Sequence, residues 1–84
     1  MRLRQSDLSA RALPGETIVL DLRTSRYLSA TGTGTRILEL LAEERSLDDL
    51  VATVSAEYAA DPERVRTDTR LFVDRLRGAG LLEG

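Results

Sequence analysis

The pattern of apolar residues changes at one short segment, Thr31-Gly32-Thr33-Gly34. Before this segment, apolar residues alternate with polar ones, which is typical of strands; after it, they recur every three or four residues, which is typical of helices. A chain of 84 residues has room for one hydrophobic core. We therefore predict a single α+β domain over residues 1–84, in which a short antiparallel sheet is followed by three helices.

The clearest strand covers residues 17–22, which follow the turn signal Pro14-Gly15. Ile18, Leu20 and Leu22 share one face of this strand, which we expect to be the buried inner face, and Val19 lies on the other. Residues 23–25 predict a short turn, and residues 26–30 a second strand that completes an antiparallel hairpin. A weaker alternation between residues 7 and 13 indicates an earlier, third strand.

Three helices are predicted in the second half of the chain. The first spans about residues 33–44, with Ile37, Leu38, Leu40 and Leu41 as its apolar stripe. The second has Ser46 as its N-cap, followed by apolar residues at helical spacing: Leu47, Leu50, Val51, Val54 and Tyr58. The third begins at Asp61-Pro62, an N-cap followed by proline, and its core stripe is Val65, Thr69, Phe72 and Leu76, with Val73 on one shoulder. Gly78 and Gly80 end this helix, and Leu81-Leu82 is placed to fold back onto the core.

Several classes of function are disfavoured by composition. The chain has neither histidine nor cysteine, so the commonest general base, the commonest metal ligand and any disulfide are absent. We therefore predict a protein that is not an enzyme, with no catalytic residue, metal site or cofactor. Residues 1–7 lack the apolar run of a signal peptide, and no stretch could span a bilayer, so we expect a cytoplasmic protein without a membrane partner.

An ordered series of residues resembles a known family, the PqqD-like peptide chaperones, also called precursor-peptide recognition elements. The resemblance covers about residues 17–82 and is carried by residues 19–22, residues 27–32, Ile37, Leu40-Leu41, residues 46–51, Tyr58, Val65, Asp68, Phe72-Val73, Leu76 and residues 80–82. The hairpin at residues 20–27 is most similar to free-standing members of lasso-peptide pathways. The N-terminal segment, with Leu13-Pro14-Gly15, matches the family poorly, so the first strand is the element that the resemblance supports least.

The resemblance implies a winged-helix-like fold and a function in peptide binding. The leader segment of a ribosomally made precursor peptide would add as a strand beside the second hairpin strand and pack against the last helix. A leader peptidase, as a separate chain, and a macrocyclising enzyme would be the further partners. The peptide-binding residues would be Arg26, Tyr27, Leu28, Ser29 and Ala30 on the strand, with Asp68, Leu71, Phe72 and Arg75 on the helix.

The residues themselves permit this site without requiring it. A short sheet has open edges, and an open edge presents unpaired N–H and C=O groups to a peptide. The simpler interpretation is that residues 26–30 are a central strand or are covered by a loop. On the third helix, Leu71 lies off the core stripe between charged residues, where it would form the apolar wall of a groove with Asp68 and Arg75 at the rim.

Two alternatives to peptide binding remain. Arg66, Arg70 and Arg77 share one side of the third helix, as in a winged-helix nucleic-acid-binding regulator that contacts phosphates. The net charge of −2, with Glu63 and Asp74 on the same surface, argues against this alternative, and we expect no nucleic-acid partner. An open strand edge would also allow homodimerisation by strand pairing.

Overall fold

The computed structural model describes residues 1–84 and contains five strands and three helices. In chain order these are β1 (Arg2–Leu3), β2 (Leu8–Leu13), β3 (Glu16–Asp21), β4 (Arg26–Thr31), α1 (Thr33–Leu40), α2 (Leu47–Tyr58), α3 (Pro62–Gly78) and β5 (Leu82–Glu83). Strands β2, β3 and β4 form an antiparallel sheet in that spatial order. The predicted α+β fold, with three strands followed by three helices, is confirmed.

A second sheet, which the sequence did not predict, joins the two ends of the chain. It consists of β1 and β5, which pair antiparallel with Leu3 opposite Leu82. The N–H of Leu3 also donates to the carbonyl of Leu41 at 2.8 Å, and the N–H of Arg45 donates to the carbonyl of Met1 at 2.8 Å. The N-terminal segment therefore ties the end of α1 to the C-terminal segment.

Helix α1 ends at Leu40 rather than near Glu44, so the predicted C-terminus of this helix was wrong. Nothing in the sequence between these residues forces a stop, because neither glycine nor proline occurs there. The physical reason is tertiary. The residues after α1 bond to the N-terminal segment, as described for Leu41 and Arg45, and a continued helix would lose these bonds.

Helices α2 and α3 begin where the sequence predicts. In α2, the Ser46 Oγ accepts from the Asp49 N–H at 3.0 Å, and the Asp49 carboxylate accepts from the Ser46 N–H at 3.1 Å. These hydrogen bonds hold the pKa of Asp49 below its ordinary value. In α3, Asp61 caps the helix and Pro62 is its first residue. After α3 the chain turns at Gly80, whose φ is +73°, and places Leu81 in the core.

The core lies between one face of the sheet and the three helices. Its fourteen buried apolar residues are Val19, Leu28, Ala30, Ile37, Leu38, Leu40, Leu41, Leu50, Val51, Val54, Val65, Val73, Leu76 and Leu81. The apolar stripe predicted for α1 is entirely buried. Tyr58, the last residue of the apolar series in α2, is half exposed at the last turn of that helix. None of the three helices combines the length and apolar character needed to cross a membrane.

The inner face of β3 is the opposite of the one predicted. Thr17, Val19 and Asp21 point towards the helices and are buried, whereas Ile18 and Leu20 lie on the outer face. The prediction placed the face with more apolar residues inside. It was wrong because two of the three inner residues, Thr17 and Asp21, are polar. Asp21 is tolerated inside because the guanidinium of Arg4 pairs with it at 2.7 Å.

The centre of the α3 core stripe is also displaced from the prediction. Val73, placed on a shoulder, is buried, and Phe72, placed in the stripe, is only half buried. The helix is rotated so that Val65, Thr69, Val73 and Leu76 face the core. Phe72 consequently lies at the boundary between the core and a surface cleft beside β4.

Candidate functional site

Strand β4 has one open edge, and the register identifies which residues face it. The N–H of Leu22 bonds to the carbonyl of Asp7 at 2.8 Å, so residues 16, 18, 20 and 22 bond to the β2 side. The intervening residues of β3 therefore bond to β4, where their partners are Arg26, Leu28 and Ala30. It follows that the N–H and C=O groups of Tyr27, Ser29 and Thr31 point towards the open edge.

The sheet has a second open edge at β2, but that edge has no adjoining wall. Five of the six residues of β2 are exposed, including both alanines on its inner side. By contrast, β4 alternates exposed residues with buried Leu28 and Ala30. Only the β4 edge therefore combines free backbone groups with an adjoining apolar surface, which is the combination that favours the capture of an extended peptide.

Helix α3 forms a wall beside the open edge of β4, and the space between them is a groove with two cavities. The Phe72 cavity has a volume of about 320 Å³ and the Leu28 cavity about 570 Å³. Ser29 and Arg75 line both cavities. The Phe72 cavity lies at the end of β4 and beside the middle of α3, whereas the Leu28 cavity lies at the start of β4 and the end of α3. The strand and the helix therefore run in opposite directions along the groove.

The groove has an apolar floor and a partly apolar wall. Leu28 and Ala30 are buried on the inner face of β4 and form the floor. Leu71 projects from α3 with 61% of its surface exposed and lines the Phe72 cavity, next to the half-buried ring of Phe72. An exposed leucine beside a partly buried aromatic ring is a surface that a bound strand could cover.

The position of the Phe72 ring depends on Gly34, at the start of α1. A Cβ built on Gly34 would lie 3.3 Å from the Cβ of Ala30 and 3.4 Å from Cε1 of Phe72. Any larger residue would push α1 away from β4 or move the ring into the cavity. Gly34 therefore permits the close approach of β4, α1 and α3 at one end of the groove.

Charged side chains lie along the rim of the groove. The guanidinium carbon of Arg75 is 5.9 Å from the centroid of the Phe72 ring, within the range of a cation–π contact. Arg26 lines the Leu28 cavity and Asp68 the Phe72 cavity. Asp21, also in the lining of the Leu28 cavity, is held by hydrogen bonds from the Arg4 side chain and the Arg23 N–H, and these lower the pKa of its carboxyl group.

All nine residues that the sequence analysis selected lie in the linings of these two cavities. They do so in different ways: Leu28 and Ala30 form the floor, while the side chains of Tyr27 and Ser29 point to the outer face and only their backbone faces the open edge. The lining residues that were not predicted include Gly34 and Ile37 in the Phe72 cavity, and Asp21 and Leu81 in the Leu28 cavity. The Thr31–Gly34 turn was a visible signal for Gly34; nothing in the sequence indicates that Asp21 points inward.

The arginines that suggested nucleic-acid binding do not form a free basic face. Arg66 donates to Asp48 at 2.7 Å across the interface of α2 and α3. Arg77 lies against the sulfur of Met1 at 3.8 Å. Of the three, only Arg70 has no bonded partner, so α3 does not present the row of free phosphate contacts that a nucleic-acid helix would need.

Comparisons with known proteins point to one family. The family model described as "Coenzyme PQQ synthesis protein D (PqqD)" matches residues 16–82. A solved structure described as "TbiB1 in Complex with the TbiA(beta) Leader Peptide" is 31% identical, with a TM-score of 0.88, over 100% of this chain and 96% of that one. A second, "Lasso peptide synthetase B1 complexed with the leader peptide", is 23% identical with a TM-score of 0.82, over 99% and 96%. No curated protein sequence matches the chain.

Proposed function

Because the chain belongs to the PqqD family, we propose that it binds the leader segment of a ribosomally synthesised precursor peptide, which adds as a strand to β4. One observation carries this proposal. The β4 edge has free backbone groups at Tyr27, Ser29 and Thr31, and it lies beside a groove with an apolar floor and the exposed Leu71 in its wall. Two proteins of closely similar fold are described in complex with leader peptides.

Strand addition explains why the groove can accept a peptide without enclosing it. Main-chain hydrogen bonds to the open edge supply affinity that depends little on the peptide's sequence. Alternate side chains of the peptide would point inward, beside Leu28 and beside Ala30, and each would meet one of the two cavities. Selectivity would then come from the fit of these two side chains.

The similarity to a protein described as lasso peptide synthetase B1 supports a lasso-peptide precursor as the source of the leader. In this proposal the domain is a binding partner that catalyses nothing itself. Its protein partners in this proposal are a separate leader peptidase and a macrocyclising enzyme. Tethering the leader raises the local concentration of the cleavage site at the peptidase.

Exposed apolar side chains on the outer face of the sheet support a protein partner that docks there. Tyr27 is 72% exposed there, and Leu13 is 41% exposed. Ile18 and Leu20 lie between them on the central strand. A leader strand on β4 would extend this same face, so an enzyme docked over it would contact the domain and the outward side chains of the leader together. We propose this face as the docking surface of the leader peptidase.

The test uses a candidate precursor peptide and a candidate leader peptidase, both sought among the genes next to this one. Calorimetry should show that the leader binds, and mass spectrometry should show that the protein alone leaves the precursor unchanged. Added to the peptidase, the protein should accelerate leader removal. Leu13→Ser should lower this acceleration without changing leader affinity. Leader binding that is undetectable at 100 micromolar (about −5.5 kcal/mol) would contradict the proposed function, and modification of the precursor by the protein alone would contradict its role as a pure binding partner.

A further inference from the structure

Two arginines that line the Leu28 cavity have no carboxylate partner. Six of the twelve arginines pair with a carboxylate: Arg2, Arg4, Arg23, Arg36, Arg45 and Arg66. Arg26 and Arg75, on opposite sides of the Leu28 cavity, have no such partner. One projects from β4 and the other from α3, so the cavity is flanked by two positive charges.

The remaining lining of the cavity does not offset these charges. Its one acidic residue, Asp21, is already bonded to Arg4 at 2.7 Å. Val19, Leu28 and Leu81 supply a buried apolar floor. The cavity therefore combines an apolar base with a cationic rim, and it would fit a side chain that has an apolar stem and an anionic head.

A peptide strand on β4 would direct one side chain into this cavity. Its residues paired with Tyr27 and Ser29 would point outward, so the residue between them, beside Leu28, would point inward. We propose that this inward residue is acidic and that its carboxylate binds between Arg26 and Arg75. This inference rests on the proposed function and adds to it one requirement on the sequence of the leader.

The chemistry favours glutamate over aspartate at this position. The two methylene groups of glutamate reach across the apolar floor, and its carboxylate can accept charge-assisted hydrogen bonds from both guanidinium groups. Covering the cavity with a peptide backbone excludes water, which strengthens the attraction between the charges. The lining of the Phe72 cavity holds one aspartate, Asp68, and one arginine, Arg75, so it carries no such preference.

The test uses a library of random twelve-residue peptides fused through their C-termini to a phage coat protein, so that no free C-terminal carboxylate is offered. Selection on the parent protein should enrich Glu at one fixed position between apolar residues. Selection on the double variant Arg26→Glu/Arg75→Glu should enrich Lys or Arg there instead. Arg70→Gln, on the side of α3 away from the groove, is the control and should select the same peptides as the parent.

A selected peptide, synthesised with an amidated C-terminus, then shows how much the glutamate carboxylate contributes to binding. Changing its glutamate to glutamine should weaken binding to the parent about fivefold to tenfold, and should have no effect on binding to Arg26→Gln/Arg75→Gln. Circular dichroism of each variant checks that the fold is retained. Selected peptides without an acidic preference would overturn this inference and leave leader binding intact. If no peptide were selected at all, leader binding would fail and the inference with it.

Discussion

Arg4 and Asp21 form a nearly buried ion pair in which Nη2 of Arg4 donates to Oδ1 of Asp21 at 2.7 Å. The same guanidinium donates from Nη1 to the carbonyl of Gly80 at 2.7 Å. One side chain therefore joins the N-terminal segment, the central strand and the turn after α3. Since Asp21 and Leu81 both line the Leu28 cavity, this pair also fixes the shape of one end of the groove.

The Arg4–Asp21 pair predicts how stability depends on pH. The pKa of Asp21 is lowered below 3.8 in the folded state, chiefly by the hydrogen bond from Arg4. A lowered pKa means that the carboxylate stabilises the fold above the unfolded-state pKa, and that this contribution is lost as pH falls through the folded-state pKa. We expect Asp21→Asn to lower the urea midpoint at pH 7 and to lower it less at pH 3.

The exposed pair of Asp7 and Arg23, at 2.9 Å, is the control for this prediction. Asp7→Asn should change the urea midpoint little at either pH, because an exposed ion pair contributes little to stability. If Asp21→Asn lowered the midpoint equally at pH 3 and pH 7, ionisation of Asp21 would not be what stabilises the fold.

If the leader pairs with the open edge of β4, proline should affect leader affinity differently at two matched positions, one on β4 and one on β2. Ser29→Pro removes an N–H that faces the open edge, and we expect leader affinity to fall by about tenfold or more. Ala12→Pro removes an N–H that faces the open edge of β2, where no leader is expected, and should leave affinity unchanged. Calorimetry measures both variants. A loss of leader affinity in Ala12→Pro but not in Ser29→Pro would show that the leader adds to β2 and not to β4.

Leu71 and Phe72 both line the groove but differ in burial. Substitutions at these two positions should therefore separate effects on leader binding from effects on stability. Leu71 is exposed, so Leu71→Ala should change the free energy of unfolding by less than about 0.5 kcal/mol. If the leader buries its side chain, the same change should weaken leader binding by about 1–2 kcal/mol.

Phe72→Ala should affect both quantities. Its ring contacts the Gly34 region and is half buried, so we expect a loss of stability of about 2 kcal/mol, less than for a fully buried phenylalanine. Urea melts and calorimetry on the same samples separate the two effects. Parent-like leader affinity in both variants would show that α3 does not form the wall of the site.

Local signals in the sequence were sufficient to predict most elements of the fold. Ser46 with Asp49 begins α2, and Asp61-Pro62 begins α3, because capping depends on residues within one helical turn. The hairpin of β3 and β4 was predictable for the same reason. By contrast, the pairing of Leu3 with Leu82 joins residues at opposite ends of the chain. Two-residue strands carry no periodicity, so no local signal for this pairing exists.

The candidate site was predictable in its membership but not in its electrostatics. The resemblance to the PqqD-like family placed residues 26–30 in the site, and helical spacing placed Leu71 off the core stripe of α3. The inward orientation of Asp21 depends on Arg4, seventeen residues away in sequence. Such a pairing is set by tertiary packing, and a count of apolar residues therefore assigned the wrong face of β3 to the core.

Hydrogen exchange at single amides tests the central claim, that a leader adds as a strand to β4. When the protein is saturated with a leader peptide that it binds, exchange at Tyr27, Ser29 and Thr31 should slow by about tenfold or more, because these N–H groups gain acceptors. Exchange at Leu28, already bonded to β3, should change less. Exchange at Ala10 and Ala12 of β2 should not change. Unchanged exchange at Tyr27 and Ser29 in the saturated complex, or slowing confined to β2, would contradict strand addition at β4.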